Sequence, residues 1–431
     1  MGPAAPPDGR DRAVDGVRAL AMAGVVLGHW LVTALVLTPD GDLVADSPLR
    51  AMPALAPLSW LPQTLGLFFF VAGFAATRAW TARPGRAGRA EPAGPAGRAG
   101  RAGRAGRAGR AGRVGRAGSR GQPAQAGSAG RGRYRGWLAS RLRRLGGPLA
   151  AFAAVWTAAL VLGLAAGAPD GTVETVGRLV ASPLWFLVPL LALTAATPVL
   201  DRCVDRWGPL AASPPLAAVI ASDAHPGAYT LPLTLTAAWA VPYLLGAAAA
   251  RGRLRGPVAG AALAGAGLLA LVALVGLAGY PDSAVGIPGA GRSNLDPPSS
   301  ATVALALAQV GLAVLLRPAL NRLLARPRWW RPVRALNRLA LPIFLTHQSA
   351  LILVTLAGLW LAGGHAVPGL HTPPTGTGWL TARACWLPVF AAALALLLGA
   401  LARKHGRGGH AGRLRRVYDS RGSSRPADQW R

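Results

Sequence analysis

Five side chains in this sequence could do chemistry, and each stands in or beside an apolar run. His29 lies in the middle of VDGVRALAMAGVVLGHWLVTALVL (14–37), with Arg18 at the entrance of the same run. His347 lies in LALPIFLTHQ, and Arg141 and Arg144 precede a third run. A neutral imidazole can take the proton of a hydroxyl or accept an acyl group itself. A guanidinium holds phosphate oxygens or developing negative charge. A histidine at hydrocarbon depth is costly and marks a functional position by default, the bland alternative being a hydrogen bond that only packs two helices together.

Spacing ties these residues to geometry. The eleven-residue step from Arg18 to His29 is about three helical turns, which puts both on one face roughly 16 Å apart. His347 is nine residues past Arg338, roughly 13 Å along a helix, and so reaches a depth similar to that of His29. It either shares a cavity with His29 or packs. Arg141 and Arg144, one turn apart, read as a phosphate clamp or as ordinary anchors at the membrane face. Trp185 is a core or interfacial aromatic with a cavity role as the alternative. Other chemistries lack their residues: no intramembrane carboxylate pair, HExxH, GxSxG or P-loop occurs. The two cysteines, Cys203 and Cys385, fall in different regions, so no disulfide framework and no metal site is expected.

The elements that must hold these side chains follow from composition. Of 431 residues 52% are hydrophobic, yet the formal net charge is +30. Apolar spans joined by arginine-rich loops reconcile the two, and the arginines are not interleaved with aromatics on one domain as a specific nucleic-acid surface would need. Apolar runs occur at about 19–37, 58–77, 148–167, 183–200, 209–222, 229–250, 257–279, 301–316, 339–362 and 384–402. The expectation is an all-α, multi-pass integral membrane helix bundle of about ten transmembrane helices. With both termini cytoplasmic, only Arg50, Arg178, Arg292 and Arg383 fall on or near the outer side. The short fifth run must still cross, because Arg202 and Arg206 before it and Arg251, Arg253 and Arg255 after the sixth belong to one side. The stretch 317–338, with seven arginines beside Trp329 and Trp330, reads as an interfacial segment on the inner leaflet.

Three parts are expected: a cytoplasmic tail (1–18), a membrane domain (19–402) and a basic cytoplasmic tail (403–431). The membrane domain is interrupted by 81–133, where Gly-Arg-Ala repeats almost without a break from 97 to 118. With no apolar residues for a core, this insertion reads as a disordered cytoplasmic region. It lacks the prolines of a collagen helix, and a tether to nucleic acid or anionic lipid is the alternative.

Several motifs together resemble a known family. Arg18 and His29 form R-x10-H; LGLFFFVAGF looks like a second-span FF-x-SGF motif with Ala72 in place of serine; Arg141 and Arg144 match RxxR; PLWFL (183–187) and LPIFLTHQ (341–348) look like WFL and YLxHQ segments, with Phe344 in place of tyrosine. In this order they resemble the acyltransferase-3 family of integral membrane O-acyltransferases. The resemblance implies transfer of an acyl group, often acetyl, from cytoplasmic acyl-CoA to a hydroxyl of a carbohydrate, cell-surface or secondary-metabolite acceptor, with no permanently bound cofactor. Some members carry an extracytoplasmic hydrolase-like domain. This chain has none and would act alone or with a separate extracytoplasmic partner.

The residue roles expected are then His29 and Arg18 as catalytic, Arg141 and Arg144 as donor-binding, and His347 and Trp185 as cavity lining, in a protein of the cell membrane. Two rival readings differ in class. A transporter or flippase would line a path with the same residues and do no covalent chemistry. A basic membrane scaffold would explain the charge but not His29.

Overall fold

The computed structural model describes residues 11–82, 123–225, 231–289 and 291–421. Among them the chain forms α1 (Arg12–Val32), α2 (Pro48–Ala51), α3 (Leu65–Thr81), α4 (Pro123–Ala165), α5 (Asp170–Ala181), α6 (Leu187–Trp207), α7 (Ser213–Ala224), α8 (Leu231–Ala250), α9 (Pro257–Gly276), α10 (Ser300–Leu324), α11 (Pro327–Arg338), α12 (Ala340–Leu361) and α13 (Gly376–Arg421). One small antiparallel hairpin, β1 (Ala34–Leu37) with β2 (Leu43–Asp46), follows α1. The protein is a multi-pass, all-α membrane bundle.

Nine helical stretches among the described residues are long and apolar enough to cross a membrane. One of them, Asp170–Ala224, is interrupted, which accounts for the difference from ten. Gly208, at φ 59°, breaks it after α6, and the chain returns through a 3-10 turn (Gly208–Ala212) and α7. The C-terminus of α7 then meets the N-terminus of α8 through Ser222 and Thr234, whose hydroxyls are 3.2 Å apart. Arg251, just past α8, reaches back to Asp201 near the end of α6, with Nη2 2.6 Å from Oδ2, and to Asp205 at 3.0 Å. So α6 and α8 end on one side with α7 running between them, as the arginine distribution requires. The hydrogen bonds that Arg251 donates to Asp201, together with the charge of that carboxylate, hold its guanidinium above its ordinary pKa.

Boundaries shift at three places. Helix α1 starts at Arg12, capped by Asp11, whose carboxylate accepts from Val14 N–H, so residues 12–18 are part of the first helix. Helix α4 starts at Pro123, inside the stretch 81–133 expected to be disordered, and residues 83–122 of that stretch lie outside the described residues. Helix α13 runs on to Arg421, well into the expected tail.

Two ends of the bundle can be told apart by their contacts. At one, Asp11 pairs with Arg317, and Arg12 donates to the carbonyl of Leu324, tying the start of α1 to the end of α10. Helix α11 lies there too, with no buried residue and with Asn337 donating to the carbonyl of Asp15 at 2.7 Å. At the other end the residues before α3 meet the loop before α10: Ser59 and Ser283 hydroxyls are 3.3 Å apart and Trp60 Nε1 donates to Asp282 O at 2.7 Å.

Small residues set the helix spacing. A Cβ added at Gly73 would sit 2.0 Å from the Tyr243 carbonyl oxygen, and one at Gly246 would sit 1.9 Å from that of Phe70, so α3 and α8 touch backbone to backbone. Gly260, Gly267 and Gly311 do the same for α9 against α10. Only Gly260 and Gly267 of α9 are buried. Its exposed Leu268, Leu269 and Val272 suit contact with lipid chains.

Candidate active site

Helix α1 presents His29 in its last turn, half-buried, and three neighbours fix that turn. Trp30 Nε1 donates to the carbonyl of His347 at 3.0 Å, joining α1 to α12. Arg383 of α13, 1% exposed, donates to the carbonyls of Trp30 at 2.7 Å, Gly369 at 3.0 Å and Thr33. Trp30 and Thr33 carry carbonyls that the end of α1 leaves without helical partners, so Arg383 caps the helix that carries His29 and its charge complements the helix dipole. Glycines supply the third constraint: a Cβ at Gly24 would meet Thr64 Oγ1 at 2.3 Å, and Thr64 itself donates to the carbonyl of Ala21 at 2.8 Å.

His29 and His347 come together with ring centroids 5.1 Å apart. His347 is fully buried; its Nδ1 hydrogen-bonds the carbonyl of Phe344 at 2.7 Å, so it carries the proton there, and its Nε2 has no partner. Gln348 Nε2 lies 3.2 Å from His29 Nδ1.

A cavity of about 110 Å3 opens beside His29. Its wall is drawn from α1 (Gly28, His29), the entry to α3 (Ser59, Gln63), the 3-10 turn Ser182–Phe186 (Trp185) and α12 (Phe344), with Val285 and Leu295 from the loop before α10. Among the described residues, His29 is the one titratable side chain on that wall. Trp185 is on it, and His347 stands behind His29. Phe344, the position where the motif has tyrosine, turns an apolar ring toward the cavity and packs on Phe186 with centroids 4.4 Å apart.

The arginines are placed differently. Arg18 is half-buried on α1, nearer the Asp11 end than His29, and neither it nor Arg141 nor Arg144 lines the cavity. Arg141 lies over the ring of Trp137, 4.4 Å from its centroid, while Arg144 is exposed. Trp137 in turn packs on Trp80 at the end of α3, centroids 5.5 Å apart. Among the described residues no three His, Cys, Asp or Glu side chains gather as a metal site.

Sequence reasoning passed over Gln348, Gln63 and the capping role of Arg383. Gln348 adjoins a histidine on a helix apolar all round, so periodicity could not say which of the two neighbours turns toward α1. Arg383 carried a signal: an arginine on the side where few arginines fall, at the edge of an apolar run, needs buried acceptors.

No curated protein and no solved structure matches the chain. The family profile described as an acyltransferase domain matches residues 11–402, which takes in α1, the cavity wall and the greater part of α13. With the histidine, the arginines and the aromatic segments in place across that whole span, the chain belongs to the acyltransferase-3 family.

Proposed function

We propose that this membrane acyltransferase moves an acetyl group from cytoplasmic acetyl-CoA to a hydroxyl of a carbohydrate or another cell-surface or secondary-metabolite acceptor, with His29 as general base. The observation that carries the reading is that, among the described residues, His29 is the one titratable side chain on the wall of its cavity. His29 takes the hydroxyl proton as the acceptor oxygen attacks the thioester carbonyl, and the departing thiolate recovers a proton from the imidazolium.

Arg18 and the Arg141 and Arg144 pair hold donor phosphates nearer the Asp11 end, which faces the cytoplasm of a cell-membrane protein with both termini inside. The donor arm then reaches past Arg18 toward His29. Residues of the loop before α10 contribute to the cavity wall, which favours entry of the acceptor from the outer side. Membranes holding the protein, given radiolabelled acetyl-CoA, should pass label to an endogenous acceptor in an ester that mild base cleaves. Absence of such label above that in membranes lacking the chain would count against acetyl-CoA as donor.

A further inference from the structure

A carboxamide against an imidazole has two settings, and they give the ring opposite roles. Gln348 is 2% exposed; its Nε2 faces His29 Nδ1 at 3.2 Å while its Oε1 is buried with no hydrogen bond. With Nε2 toward Nδ1 the amide donates, so the ring proton sits on Nε2 and that nitrogen cannot act as a base. A half-turn of the amide exchanges the two atoms with little change of shape. Oε1 then accepts from Nδ1–H, and the lone pair is on Nε2. The neighbouring His347 donates its Nδ1 proton to the Phe344 carbonyl, and no hydrogen bond joins its Nε2 to His29.

We infer that Gln348 is the positioning residue that sets the tautomer of His29: with Oε1 accepting from Nδ1, it leaves Nε2 as the nitrogen that takes the acceptor proton. The inference rests on His29 as general base. In the step, the acceptor O–H proton moves to Nε2 as its oxygen bonds the thioester carbonyl carbon. Nδ1–H stays on Gln348 throughout. The C–S bond then breaks, and the thiolate takes the proton from Nε2, leaving an ester, free CoA thiol and the original imidazole. A residue that orients the base acts on turnover and not on donor binding, and loss of the correct tautomer removes the contribution of general-base catalysis.

The test compares wild type, Gln348→Met, Gln348→Glu and His29→Ala in membranes, using radiolabelled acetyl-CoA and the endogenous acceptor. Gln348→Met keeps the length of the side chain and removes the acceptor atom; it should lower the rate at saturating acetyl-CoA by on the order of 100-fold with KM for acetyl-CoA unchanged. Gln348→Glu supplies a carboxyl oxygen to Nδ1–H and should restore most of that rate. A wild-type rate in Gln348→Met, a loss confined to KM, or an equal fall in the Met and Glu variants would overturn the assignment. His29→Ala separates the two levels. If it is inactive while Gln348→Met is not, only the role of Gln348 fails. If it labels acceptor as wild type does, the general-base reading fails and takes this inference with it.

Discussion

His29 owes its setting to residues that do no chemistry themselves. Arg383 is the clearest, since its guanidinium satisfies three carbonyls, two of them at the end of α1, with no carboxylate facing it in those contacts. Replacing it with methionine leaves those acceptors buried and unpaired, which should cost on the order of 3 kcal/mol. Thermal unfolding in detergent would read that as a lower midpoint for Arg383→Met, accompanied by weaker acyl transfer; an unchanged midpoint would show that Arg383 does not hold the helix. At this scale the sequence was partly legible. The cost of burying a histidine among apolar residues marked His29 and His347, and spacing placed them at one depth. It gave Gln348 no role beyond its place in the LPIFLTHQ segment, because an amide carries no charge to mark it and its partner, His29, comes from a helix far away in sequence.

Helices were legible where apolar runs are long and bounded by arginines, and less so where they are short. The α6 and α7 pair shows the limit: charge on either side asks for a return of the chain here, while the break at Gly208 depends on a backbone angle. The α3 and α8 contact is set by glycine, and Gly73→Ala would push a Cβ into the Tyr243 carbonyl. The three nearest atoms are all Tyr243 backbone, so the helices must separate, at a cost of roughly 3 kcal/mol. The yield of folded protein after size-exclusion chromatography should fall for Gly73→Ala but not for Gly146→Ala, where nothing lies within 4 Å. The loop joining α12 to α13 offers a pH test. His371, fully buried, accepts from Val367 N–H through Nδ1 and donates through Nε2 to the Thr355 carbonyl, and burial pushes its pKa below the usual range. A base with a depressed folded pKa binds protons more readily when unfolded, so its contribution is present above about pH 6.5 and is lost as pH falls below that. The unfolding midpoint should therefore drop between about pH 7 and 5, less steeply in His371→Asn.

The whole molecule is an acyltransferase of the membrane, and family membership favours that class over transport or scaffolding. Its fold class was legible because apolar spans and basic loops separate so cleanly along the chain. Its cavity was not, because the wall joins residues from five separate segments between Val25 and Phe344. The insertion has no apolar residues for a core, so deleting 85–130 should leave acyl transfer near the wild-type rate, and complete loss in a stably inserted protein would give the insertion a role. A reporter fused after Arg425 should be accessible only from the cytoplasm. The role of His29 is tested most directly by acceptor labelling from radiolabelled acetyl-CoA in membranes holding equal amounts of wild type or His29→Ala. Labelling by His29→Ala should fall by about 100-fold or more; equal labelling by the two proteins would mean that His29 is not the general base.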